Sequence, residues 1–564
     1  MNWKKIAIGM FSILMLVTMA VGISACETTE PQTFNPISSS ESEDGEEEEK
    51  KELIFEISED GSYYSVKNIG TYEGNTVVIP AVYNGLPVEK IGANAFLGCS
   101  ITRVVIPDSV TSIGESAFES CMQLTDVQIA DSVTKIEAKA FLGCDELITI
   151  KLPDSLTSIG ESAFENCDGL REIDIPDSVT NMGDRVFYNC DSLISIVIPD
   201  LVERIGDYAF YNCPALTRAV IGSSVKSIGE EAFWRCASMT SVVLGNSLET
   251  IEFNAFGGSG LTSLFISDSV ITIEQAAFSN CHALRNIVFG KSVKVIGRSA
   301  FFGCKVESLT LGESVETIQG SAFGSCRWLT NIEIPSSVKE IGSGAFEKCY
   351  RLVEIYNKSN LSITAGEQGY GDIGYHAKAV YTEPYTSKLF EDENGYLIYE
   401  DGNERSLIGY TGTEVDLILP EGITDIQMGA FREDRELRSV VIPNTVTKIG
   451  EFAFRECDSL TSVSMGNSVE CIERGAFSYC YSLTSVTIPA SVIYIGSGAF
   501  YNYENRNSIE SIVFEDASGW LCGDKHGNVI YGEVTPVAEE ELSDPIRAAE
   551  YMVQQSLALF KDVE

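Results

Sequence analysis

The chain has 564 residues and a formal net charge of -43, from 39 basic and 82 acidic side chains. So acidic a surface repels phosphate backbones, which excludes a general nucleic-acid binder and favours cationic partners. The three histidines, His282, His376 and His526, form no H-x-x-x-H or H-E-x-x-H, and there is no P-loop, nucleotide fingerprint or nucleophile elbow. No catalytic residue, metal ligand or cofactor is expected, and the chain reads as a non-enzyme.

Residues 1–25 read as a processing signal: Lys4 and Lys5 precede an apolar run, Ile6 to Ile23, that ends in Ile23-Ser24-Ala25-Cys26. This resembles the bacterial lipoprotein signal, which implies cleavage before Cys26 and acylation of its thiol. Residues 26–51 read as a disordered acidic tether, with Glu41 to Glu49 carrying nothing apolar to bury. At 52–90, Ile54-Phe-Glu-Ile57, the turn Glu59-Asp60-Gly61 and Tyr63-Tyr-Ser-Val66 read as a hairpin that caps the first coil.

From 91 to 355 a repeat takes over. Ala-Phe recurs with an Ile five residues before the Phe and usually a Cys three after, at Phe96, Phe118 and on to Phe346, and again from Phe431 to Phe500. The steps are 22 or 23 residues, and a period of this size is that of a solenoid. Within one unit, Leu124, Val127 and Ile129 follow the L-x-x-V-x-I pattern of leucine-rich repeats, with Asp126 and Gln128 alternating as on a strand. Pro or Gly then breaks the strand, and Val133 and Ile136 form a second short apolar stretch. The A-F-x-x-C segment suits one helical turn. The expected fold is therefore an α+β repeat solenoid of about 16 coils, each with two short strands plus a helical turn, enclosing Leu, Val, Ile, Ala, Phe and Cys.

Thirteen cysteines, from Cys99 to Cys480, hold the position three after the repeat Phe. Zinc would call for C-x-x-C spacing, which is absent, and export would permit disulfides. Equivalent residues of stacked coils point the same way and their number is odd, so the reading favours buried free thiols acting as small apolar groups.

Residues 356–413 form a Tyr-rich insert with a second hairpin signal, Tyr396-Leu-Ile-Tyr-Glu-Asp-Gly-Asn403, and 414–515 a second solenoid block. Tyr370, Tyr375, Tyr381 and Tyr385 are candidate contact residues, since exposed aromatics favour interfaces; packing of the insert onto its neighbours is the competing reading. At 516–564 a C-terminal cap is expected, with Ser543 or Asp544 capping a helix, Pro545 in its first turn, and Ile546, Ala549, Val553, Leu557 and Phe560 on one face. A second candidate surface comes from strand alternation. The outward position of successive first strands reads Val197, Val220, Val243, Phe265 and Val288, an apolar ridge roughly 19–20 Å long at inter-strand spacing. Flanking Arg218 and Asn286 would add polar contacts.

The unit I-P-D-S-V-T-x-I-G-x-x-A-F-x-x-C-x-x-L stands intact at Ile106 to Leu124 and returns at Ile175 to Leu193 with Met182 and Val186 substituted. It resembles the BspA-type leucine-rich repeat family of bacterial surface proteins over roughly residues 75–515. The resemblance implies a surface-exposed, non-enzymatic protein that binds an extracellular protein or other cell-surface macromolecule, in some members as an adhesin. It implies no transferable site residues. A structural or glycan-contacting envelope protein is the alternative.

Overall fold

Every coil adds one rung to each of two parallel ladders. The first is built from strands carrying the L-x-x-V-x-I pattern, such as Ser195–Val197, Arg218–Val220 and Ser241–Val243, aligned Val197↔Val220↔Val243. The second is built from two-residue strands such as Arg204–Ile205, Ser227–Ile228 and Thr250–Ile251, with their isoleucines in register. The chain is seen here as a computed structural model that describes residues 52–502, 509–523, 535–554 and 558–561. The expectations for the signal, Cys26, the tether and His526 lie outside these residues. The described repeats and their flanking rungs make a leucine-rich-repeat solenoid of about 19 stacked turns, more than the 16 expected from the repeat Phe, because strands of the hairpins and of the insert add rungs of their own.

Alternation explains why the first strands sit as they do. Ile196, Ala219 and Leu264 point inward and are buried, while the residues on either side of them face out. The hairpins are where the sequence places them. Ile54–Ile57 pairs antiparallel with Tyr64–Asn68, which pairs parallel with Leu86–Ile91 and so joins the second ladder. Tyr396–Asp401 and Glu404–Tyr410 do the same ahead of Asp425–Ile426.

The A-F-x-x-C segment is not a helical turn. The residues two before and two after the Phe are left-handed, as at Asn94 (φ 58°), Ser116 (φ 52°) and Ser120 (φ 59°), which no right-handed helix accommodates. The N–H groups then alternate in direction. Ser116, Phe118 and Ser120 donate to Ala138, Ala140 and Leu142 of the next coil at 2.9, 2.8 and 2.7 Å, whereas Ala117 and Cys121 close tight turns onto Gly114 and Phe118. Lys139, Arg185 and Tyr208 also take the left-handed conformation, so residue preference alone does not impose it. A cost of roughly 1–2 kcal/mol at each such residue is offset by inter-coil hydrogen bonds and by the ring these turns aim inward. The fold is thus nearly all strand and turn. Among the described residues, α-helix is confined to Glu539–Ser543 and Pro545–Gln554.

Inside the coils the rings form a column. From Phe96 to Phe346 each repeat Phe stacks on the next at centroid distances of 4.9–5.5 Å. A second column runs from Phe431 to Phe500 at 5.0–5.4 Å. The cysteines lie alongside as free thiols. They do more than fill space. The carbonyl of Phe118 accepts the N–H of Cys121 in its own coil at 3.1 Å and the S–H of Cys144 in the next at 3.2 Å. The same thiol bond recurs from Cys121 to Phe96 at 3.0 Å, Cys213 to Phe187 at 3.2 Å and Cys480 to Phe454 at 3.1 Å. Each buried carbonyl so gains a second partner in a place where an unpaired acceptor is costly. Burial pushes the Cys167 thiol up to about 12, far from the reactive thiolate. Cys99, in the first repeat, departs from the expectation and is only half-buried, because no earlier coil covers it. Thiol titration of the folded chain is expected to leave the other repeat cysteines silent, and denaturation without reductant to expose them; silence after denaturation would mean disulfides.

The tyrosine-rich region begins as a continuation of the first ladder, since Ala379–Tyr381 pairs parallel with Glu354–Asn357. Its second hairpin is tied down by buried Tyr396, Tyr399 and Tyr410. Side chains distant in sequence join the two runs of coils. Arg351 lies buried over the Trp328 ring, 4.1 Å from its centroid, and donates to the Ala430 carbonyl at 2.7 Å. Arg432 donates to the Tyr350 hydroxyl at 2.8 Å, and Arg327 is ion-paired with Glu433.

The C-terminal helix starts as expected but ends early. Asp544 caps it, its Oδ1 accepting the N–H groups of Ile546 and Arg547 at 2.9 and 3.1 Å. The helix stops at Gln554, and Phe560 belongs to the strand Ala558–Lys561, which pairs with Tyr494–Ile495 and Trp520–Gly523. Ile546 is exposed, so the expected face from Ile546 to Phe560 does not exist. Ala549 is buried; the side chains of Val553 and Leu557 lie outside the described residues. Closing the sheet edge with a strand satisfies backbone groups that a helix would leave open.

Candidate interaction surface

The first ladder positions the ridge. Val197, Val220 and Val243 share one sheet, and Phe265 and Val288 are aligned in the next, which continues to Thr310. Strand pairing is interrupted between Val243 and Phe265, so the five side chains come in two segments. Phe265 is 64 % exposed and Val197 58 %; Val243 and Val288 are also exposed and Val220 half-buried. The inner residue of each strand anchors the core, so the outer one has nowhere else to go.

A second column runs beside it, two residues earlier on the same strands. It reads Ser195, Arg218, Ser241, Ser263, Asn286 and Ser308, all exposed. The lane from Ser195 to Thr310 is therefore apolar on one side and hydroxyl- or amide-bearing on the other, with Arg218 its one charge. Charge returns in the coils before and after it, at Glu172 and Asp174 and at Glu333. In a chain of net charge -43 such a lane is the place where a partner meets little electrostatic repulsion. The sequence signal was the apolar column; the hydroxyl column was legible at the same period.

The four insert tyrosines do not act together. Tyr370 and Tyr375 are exposed, at and beside the short 3-10 helix Tyr370–Asp372. Tyr381 and Tyr385 stack on each other at 3.7 Å, with Tyr356 edge-on to Tyr385 at 5.9 Å. Both are half-buried, and burial pushes the Tyr385 hydroxyl up to about 12.

An aromatic stack escaped the sequence reading. Tyr188, Tyr211 and Trp234, each one residue after a repeat Phe, stack at 4.6 and 4.7 Å, and Arg185 and Arg235 lie over the end rings at 4.2 and 4.0 Å. Three aromatics at one repeat position were a readable signal. Their faces are occupied by one another and by the two guanidinium groups, so the stack clamps coils together. Among the described residues no group of His, Cys, Asp and Glu is arranged to hold a metal ion, and no helix is long and apolar enough to cross a membrane.

The repeat matches the BspA type leucine rich repeat region, in six copies, over residues 89–217, 203–329, 249–367 and 412–518. The chain belongs to the BspA-type leucine-rich repeat family. Among solved structures it is similar to a leucine-rich repeat protein from Bacteroides ovatus, at 26 % identity and a TM-score of 0.45, covering 73 % of this chain and 97 % of that one. It is also similar to the Treponema pallidum leucine rich repeat protein, at 30 % identity and a TM-score of 0.32 over 34 % of this chain and 91 % of that one. A third is a leucine rich cell surface protein from Faecalibacterium prausnitzii, at 22 % identity and a TM-score of 0.24, covering 81 % and 86 %. No curated protein matches this chain. As a member of this family, the chain is a repeat protein of the interaction type.

Proposed function

We propose that this BspA-type protein is exported, anchored by a lipid on Cys26, and binds a macromolecular partner at the cell surface through the lane from Ser195 to Thr310. It acts as an adhesin-like, non-catalytic protein. The observation that carries the reading is the register of Val197, Val220 and Val243 in one sheet and of Phe265 and Val288 in the next, four of the five exposed and Val220 half-buried, beside a column of polar groups in which Arg218 is the one charge. An exposed apolar stripe with hydrogen-bonding neighbours suits an extended segment or a flat protein surface. The signal segment and the small residues before Cys26 support export and anchoring.

The test is the triple variant Val220→Asp, Val243→Asp, Phe265→Asp, assayed against matrix proteins and isolated cell walls in parallel. These outward-facing changes are expected to shift stability little, while carboxylates placed inside an interface cost it several kcal/mol. Binding weaker by at least about a hundredfold is the expected result. Unchanged binding by a folded variant would refute the lane as the site.

A further inference from the structure

The junction of the two runs of coils holds a cavity of about 420 Å³. Its floor is cationic, in a chain where acids outnumber bases two to one. Lys305 and Arg327 line it from successive coils, at the same position four residues after the repeat Phe, with His282 one coil earlier; Lys348 and Arg432 complete the rim. The packing does not demand cations at that position, because earlier coils place Met122, Asp145, Asp168, Asp191, Pro214 and Ala237 there. Successive coils are about 4.8 Å apart, so like charges stacked at that spacing repel. Among the described residues lining the cavity Glu433 is the one carboxylate, and it is engaged by both Arg327 and Arg432. Among the described residues Lys305 has no ion pair.

The guanidinium groups are also under-used. The buried Nε of Arg327 has no hydrogen-bond partner among the described residues, and that of Arg432, on a side chain only 10 % exposed, has only the Glu433 carboxylate at 3.6 Å, beyond hydrogen-bond reach. A buried donor without a hydrogen bond is unfavourable, and an oxyanion would supply the missing acceptor. The rest of the lining is uncharged. Phe302 is exposed at the cavity, and the Asn280 amide and Ser325 hydroxyl stand around it. An aromatic ring for a C–H face, neutral hydrogen-bonding groups for hydroxyls and clustered cations for an acid group together describe an acidic sugar.

We propose that this junction cavity binds a sugar bearing a carboxylate, as a residue of an acidic glycan. Lys305, Lys348, Arg327 and Arg432 meet the acid group, and Phe302 packs against the ring. The site is independent of the lane on the first ladder.

The full chain is titrated with glucuronate, glucose, sodium sulfate and triglutamate, reading binding by calorimetry. Glucuronate is expected to saturate one site and to weaken as salt rises, with glucose at least tenfold weaker. Lys305→Glu and Phe302→Ala are each expected to weaken glucuronate at least tenfold, and Lys291→Glu, whose lysine pairs with Asp268 elsewhere, to leave it unchanged. Both test residues are exposed, so the fold survives their replacement. Equal affinity for glucose, or no effect of Lys305→Glu, would overturn the proposal. So would sulfate or triglutamate binding as tightly as glucuronate, which would make the cavity a general anion site or a peptide site.

Discussion

Phe210→Ala is expected to destabilise the solenoid by about 4 kcal/mol, near the upper end for a buried aromatic. Phe210 is fully buried and stacks on two neighbours, Phe187 at 5.3 Å and Phe233 at 4.9 Å. Its removal opens a cavity that neither ring fills without leaving its own stack, since left-handed turns and inter-coil hydrogen bonds fix where each ring sits. Because coils contact only their neighbours, the loss weakens two interfaces and leaves distant ones intact. The measurement is a denaturant midpoint with hydrogen exchange. Coils around residues 187–233 should lose protection first. Phe265→Ala provides the contrast: that ring is 64 % exposed, and its loss should stay within about 0.5 kcal/mol. Equal effects at the two positions would show that ring burial does not hold the coils together.

The second large effect is expected at the joint between the two runs. A Cβ added at Gly409 would lie 2.5 Å from Arg351 Cζ and 2.7 Å from its Nε. The guanidinium cannot yield on its other side, because Trp328 lies against it and the Ala430 carbonyl holds Nη2 at 2.7 Å. Gly409→Val is therefore expected to cost about 3 kcal/mol, from overpacking and the lost bond between the two runs. Melting should split into two transitions as the second run loses its support. Arg351→Met removes the crowded atoms and with them a buried cation, whose environment already lowers its proton affinity to about 10 through burial. The pair Gly409→Ala, Arg351→Met should then be less destabilised than the sum of its singles by about 1 kcal/mol. Strict additivity would mean that the two residues do not share the joint.

Much of the interior was legible because a fixed period projects every coil onto the same positions. Phe118, Cys121, Leu124 and Ile136 could be assigned inward from one unit, and the rest followed by spacing. The two hairpins were legible from local turn chemistry and flanking apolar residues. The helical turn was misread because A-F-x-x-C is a plausible helical fragment in isolation. What prevents the helix is the set of carbonyls on the next coil, which draw off alternate N–H groups, as Ala140 and Leu142 do for Phe118 and Ser120. The C-terminal face was misread for a similar reason: the open sheet edge at Tyr494–Ile495 recruited Ala558–Lys561 as a strand.

The candidate surfaces divide along the same line. The ridge was readable, since its members are one period apart on strands whose inner neighbours are plainly apolar. The junction cavity was not, since Arg432 meets Tyr350 across 82 residues and Arg351 meets Ala430 across 79.

By itself, then, the sequence determined the solenoid, the identity of its buried columns and the outward face of its first strands, because each depends on interactions repeated at a constant spacing. The tertiary structure alone decided the turn conformation, the sheet edge at the C-terminus and the cationic joint. Those arise where backbone groups of one coil are completed by another, or where two runs meet, and no local pattern encodes a partner so far along the chain.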